Sequence, residues 1–169
     1  MPASERRGGC TRRHFNNNWQ KSLFWTIIIA VKLSVKSDYA ARAILGLARY
    51  YQAGRAVRVE ILGREQGIPP NFLVQILLEL KSAKLVKSIR GKDGGYMLAV
   101  PPSQITMGDV LRCIYGQILE APALADDHCP PELRDAWRRL KEGLEKTADQ
   151  INFQQLVDAG ADKARMYYI

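Results

Sequence analysis

The tetrapeptide Gly67-Ile68-Pro69-Pro70 separates two short runs of helical periodicity, and no other feature constrains the fold as tightly. Upstream, Val59 and Leu62 begin an amphipathic segment that Gly67 can close in a left-handed turn. Downstream, Pro70 suits the first turn of a new helix, where a backbone N–H would lack an intrahelical partner anyway. Leu73, Ile76, Leu77 and Leu80 then follow at the i, i+3, i+4, i+7 spacing of a buried stripe. Asn71, Gln75, Leu78 and Ser82 are left on the opposite face, flanked by Val74. An earlier helix is marked by Ala40, Ile44, Leu47, Ala48 and Tyr51 on one face, with Gly54 punctuating its end. Two short helices joined by a tight glycine turn read as a helix-turn-helix, the arrangement whose second helix enters a major groove.

β-Prone residues 85–90 and 96–100 enclose the loop Gly91-Lys92-Asp93-Gly94-Gly95, which predicts a hairpin. Taken alone, such a loop is a plain solvated turn. Directly after a recognition helix it reads as a wing. Gly91, Gly94 and Gly95 would let the backbone approach a phosphate closely, and Arg90 and Lys92 would supply charge. A phosphate-cradling P-loop is excluded, because Gly91-Lys92 lacks both the preceding glycine spacing and a following Ser or Thr.

The charge distribution agrees. The chain carries a formal net charge of +8. Residues 32–103 hold twelve basic and five acidic residues, whereas residues 104–169 hold eight basic and eleven acidic. The basic middle of the chain suits a polyanion. Three scattered cysteines (Cys10, Cys113, Cys129) exclude a disulfide framework, and His14 and His128 as the only histidines disfavour most hydrolase chemistries. An enzyme is not expected. Residues 1–30 show no sustained period and read as an extension outside the functional domain, with Val31 as a candidate start. Their apolar stretch, residues 23–31, is about half of a bilayer span. Export is disfavoured, because no small-x-small cleavage site follows Arg12-Arg13 and that stretch.

Beyond the wing, Thr106 and Asp109 resemble a capping box, with Met107, Val110, Leu111 and Ile114 on the helix face behind it. Leu133, Trp137, Leu140, Leu144 and Ile151 then recur as a coiled-coil-like seam. Such a seam fits a second copy of the same helix; packing back on its own domain is the alternative. Asn152 can cap a last short helix through Phe153 and Leu156, and residues 158–169 read as a tail.

Residues 32–40 (Lys-Leu-Ser-Val-Lys-Ser-Asp-Tyr-Ala), the segment Ile68-Pro69-Pro70-Asn71-Phe72-Leu73-Val74-Gln75-Ile76-Leu77, the wing Arg90-Gly91-Lys92-Asp93-Gly94-Gly95-Tyr96, and Ile105-Thr106-Met107-Gly108-Asp109-Val110 together resemble the Rrf2 family of bacterial winged-helix transcriptional regulators. The resemblance runs from about residue 31 to residue 157. It implies a mainly α fold with a small β-wing: a winged helix-turn-helix over residues 31–103 and dimerisation helices over residues 104–157. It also implies a cytoplasmic homodimer on a double-stranded DNA operator, answering to an effector not named by the sequence, with no membrane partner. Lys32, Ser34, Lys36, Asn71, Val74, Gln75, Arg90, Gly91, Lys92, Gly94 and Gly95 are the expected DNA-binding residues. Leu78 and Glu79 depart from the family, standing where basic residues are common. Members that bind an iron–sulfur cluster place three cysteines before the dimer helix; here residues 117–130 hold only Cys129, so no cluster or metal is expected. Cys129 is instead a candidate redox thiol, and Asp38 matches a position from which some relatives lend a carboxylate ligand. Two alternatives stay open: a winged helix serving as a protein-docking module, and a redox- or cluster-responsive regulator using Cys129.

Overall fold

The computed structural model describes residues 33–166. Residues 1–30, Val31 and Lys32, with the expectations attached to them, lie outside the described residues. Helix α1 (Val35–Arg49) begins at Ser34, whose hydroxyl accepts from the Ser37 N–H and so satisfies one of the free donors of the first turn. Helices α2 (Val59–Gln66) and α3 (Pro70–Ser82) follow, then strands β1 (Val86–Ile89) and β2 (Gly95–Leu98). Helices α4 (Met107–Tyr115), α5 (Pro131–Gln150) and α6 (Phe153–Met166) complete the described chain.

Gly67 closes α2 at φ 64°, the left-handed conformation in which glycine meets no Cβ penalty. The chain then turns through Ile68, itself buried, into the proline that opens α3. The expected stripe of α3 is inside: Leu73, Leu77 and Leu80 are 0% exposed and Ile76 is 1% exposed. Burying one such side chain is worth roughly 1.5–3 kcal/mol, which orients α3 far more strongly than helix propensity could. The strands pair antiparallel with Val86 opposite Leu98 and Ile89 opposite Gly95. Val86 and Leu98 face the core, and the alternation along β1 leaves Lys87 and Ile89 in solvent.

Helix α1 is the hub, packing against α2, α3, α4, α6 and β2. A single buried cluster joins Ile44 and Leu47 of α1, Leu62 of α2, the α3 stripe, Val86, Leu98, Ile105, Val110 of α4 and Phe153 of α6. This cluster runs across the division expected near residue 104. The last helix also continues to Met166, so residues 158–166 are helical where the sequence had suggested a tail. Its start is as expected: the Asn152 side chain accepts from the Gln155 N–H at 2.9 Å, and Gln155 reaches back to the Asn152 N–H at 3.1 Å. The Thr106–Asp109 box on α4 is likewise formed. Helix α5 contributes only Ala148 as a buried residue, and packs on α4 and the short turn Pro122–Leu124.

Candidate nucleic-acid interface

With Leu73, Ile76, Leu77 and Leu80 anchored, the helical period turns Asn71, Val74, Gln75 and Leu78 outward in one row at the same i, i+3, i+4, i+7 spacing. All four are exposed, Val74 to 40% and Leu78 to 54%. The row carries two amides and two aliphatic side chains and no charge. Phe72 also stands in solvent, leaning edge-on against Tyr39 with ring centroids 6.4 Å apart.

The hairpin lies next to this helix. Lys81 Nζ, on the last turn of α3, donates to Ser88 Oγ on β1 at 2.8 Å. At the hairpin tip Arg90, Gly91 and Lys92 are all exposed. The glycines here have reasons of their own. Gly91 sits at φ 112° and Gly95 at φ 155°, where L side chains rarely go. A Cβ on Gly95 would lie 2.4 Å from the Val57 carbonyl oxygen. Val57 and Tyr96 exchange two backbone hydrogen bonds of 2.8 Å, so the chain before α2 forms a short rung beside β2.

Two expected DNA-binding residues are engaged within the fold. Lys36 Nζ lies 2.8 Å from Glu79 Oε1, joining α1 to α3, so the departure at Glu79 takes up a nearby cation. Ser34 caps α1 and also meets Tyr115: its N–H donates to the Tyr115 hydroxyl at 2.6 Å, and that hydroxyl donates to Ser34 Oγ at 2.9 Å. Ser37 Oγ stands 2.9 Å from the same hydroxyl. Tyr115, at the end of α4, thus fixes the start of α1; sequence reasoning missed it, because a contact across about eighty residues leaves no local period.

The seam of α5 stands open. Leu133, Trp137, Leu140, Leu144 and Ile151 are each between 36% and 48% exposed. The first four stand on a helix whose other residues are mostly charged, and Ile151 follows directly after its end.

The described residues hold two free cysteines, Cys113 half-buried and Cys129 buried. Burial, reinforced by the nearby Glu79 carboxylate, pushes the Cys113 thiol above its usual range. Cys129 is buried, its Sγ 3.6 Å from the Pro130 carbonyl oxygen. Asp38 is ion-paired with Arg42 at 2.7 Å. Among the described residues no three His, Cys, Asp or Glu side chains gather as a metal site.

A family model described as "Rrf2: Iron-dependent Transcriptional regulator" matches residues 33–159. The HTH-type transcriptional regulator CymR of Bacillus subtilis is 30% identical over 141 residues, spanning 82% of this chain and 100% of CymR. A Mycobacterium tuberculosis protein named "Putative HTH-type transcriptional regulator" is 38% identical over 125 residues, 71% of this chain and 77% of that protein. Among solved structures, B. subtilis CymR, described as the global cysteine regulator of that organism, has a TM-score of 0.67 at 27% identity, covering 76% of this chain and 98% of its own. IscR of T. potens has a TM-score of 0.64 at 28% identity, covering 79% and 90%.

Proposed function

The chain belongs to the Rrf2 family of transcriptional regulators, and on that premise we propose that it is a homodimer that binds a double-stranded DNA operator through α3 and the β1–β2 wing. The observation that carries this reading is the outward row Asn71, Val74, Gln75 and Leu78, backed by four side chains locked in the core. In helix-turn-helix docking the second helix lies in the major groove with its N-terminal residues against base edges. The amides of Asn71 and Gln75 match the paired donor and acceptor of adenine, and Val74 and Leu78 offer aliphatic surface to thymine methyl groups. The row therefore favours A·T pairs where α3 touches. Arg90 and Lys92 on the wing meet phosphate, and Arg90 has the reach to enter a minor groove. Gly91 leaves the tip backbone uncovered, Gly94 lets the hairpin close upon itself, and Gly95 makes room for Val57 beside it.

The exposed seam of α5 supports the dimer. A row of Leu133, Trp137, Leu140 and Leu144 left in water by its own chain is the surface a second α5 would cover. Among the described residues no helix is long and apolar enough to cross a membrane. A cytoplasmic regulator with no bound cluster, answering to an effector that the chain does not name, completes the reading.

Competition binding with a duplex selected from a random-sequence library tests it. Gln75→Ala is expected to relax discrimination at one position by about 1–3 kcal/mol while leaving non-specific binding intact. Lys92→Ala is expected to weaken every sequence alike and to lower the salt slope by about 1. Selection that recovers no common sequence, or binding indifferent to salt, contradicts the reading.

A further inference from the structure

A hairpin of four-residue strands with glycines at positions 91, 94 and 95 holds its tip by one short-range backbone bond of its own, Gly94 N–H to the Gly91 carbonyl at 3.0 Å. Two-stranded ribbons are marginal in water, and each glycine adds freedom that must be lost on ordering. Something outside the hairpin has to hold Arg90 and Lys92 in place. At the root this is the Val57–Tyr96 rung, which the missing side chain of Gly95 allows. At the tip it is Arg58. Its guanidinium donates to the Lys92 carbonyl oxygen at 2.6 Å, joining the start of α2 to the far end of the wing.

The choice of residue at this position points the same way. Arg58 is the N-cap of α2, and no side chain caps that helix. Serine, threonine, aspartate or asparagine there would satisfy a free N–H of the first turn and stabilise the helix. An arginine forgoes that contribution. Its long stem and fork of donors are suited to reaching a carbonyl thirty-four residues away, which a capping side chain could not touch.

We propose that Arg58 is a positioning residue for DNA binding: by holding the Lys92 carbonyl it fixes the wing so that Arg90 and Lys92 meet the duplex together. This rests on the proposed contact of the wing with DNA, and the test separates the two. Full-length wild type, Arg58→Ala, Arg58→Met, Arg90→Ala/Lys92→Ala, and each Arg58 variant combined with that pair are compared on a labelled duplex selected from a random-sequence library. Thermal midpoints are recorded alongside. In the wild-type background either Arg58 variant is expected to weaken binding about three- to tenfold, the range of one lost hydrogen bond, with an unchanged midpoint. In the Arg90→Ala/Lys92→Ala background the same variants are expected to cost nothing further. An equal loss in both backgrounds would mean that Arg58 meets the duplex itself, and no loss in either would mean that the tip needs no brace; both overturn the inference and leave the wing contact standing. If Arg90→Ala/Lys92→Ala binds as tightly as wild type, the wing contact fails and the inference falls with it.

Discussion

The ionised state of Asp109 is a property of one residue with a measurable signature. Burial works to raise its pKa, but hydrogen bonds from the Thr106 N–H and hydroxyl, together with Arg112, outweigh it and hold the carboxyl below its ordinary value. A carboxylate depressed in the folded state stabilises fully above its unfolded pKa, and the contribution is lost as pH falls through the folded value. Acid destabilisation is therefore expected to set in below about pH 4, and Asp109→Asn is expected to flatten that limb of the urea midpoint against pH. An unchanged acid limb in the variant would mean that the Thr106 and Arg112 contacts do not hold the carboxylate ionised. At this scale the sequence was readable where the signal is local: Thr106 and Asp109 stand three apart, and their box is formed. It was silent on Lys84, which takes φ 60° after α3. Leu85 N–H bonds to Leu80 O and Lys84 N–H to Lys81 O, a helix end that glycine usually marks. With lysine there, the turn carries no compositional flag. Ser34 and Lys36 were foreseen as DNA contacts from their place in the chain, but their partners Tyr115 and Glu79 come from distant segments that spacing cannot join.

Among the elements, α1 to α4 were legible because each declares its buried face by a helical period, as the α3 stripe does, and the hairpin because β-prone residues 85–90 and 96–100 enclose a glycine loop. Helix α6 was legible only at its start, where Asn152 and Gln155 cap it; beyond Val157 its residues are mostly small and polar, and helix formation there rests on continuation from Phe153 and Leu156. Helix α5 is a different case, since its period was plain but its partner is a matter of docking. Arg112 links it to α4 through Asp149 at 2.6 Å, yet its apolar row remains in solvent. Leu140→Glu with Leu144→Glu is expected to give monomers in sedimentation while helix content holds, because both positions are exposed within one chain. Affinity for the selected duplex should fall with it. A double variant that remains a dimer would place the subunit contact elsewhere than on this seam.

For the molecule as a whole, the charge division and the fold point to the same organisation. The basic residues concentrate in residues 32–103, where α1 to α3 and the wing lie, and the acidic excess in residues 104–169, which include the seam of α5. A dimer joined through α5 carries two copies of α3, and two recognition helices impose a spacing on the DNA that one cannot. That spacing tests the homodimeric, major-groove reading more directly than any single substitution. Hydroxyl-radical footprinting of the full-length chain on a duplex selected from a random-sequence library measures it. Two protected half-sites are expected, with centres about 34–36 Å apart or a multiple of that distance. A single protected half-site, or uniform protection with no preferred position, would contradict it.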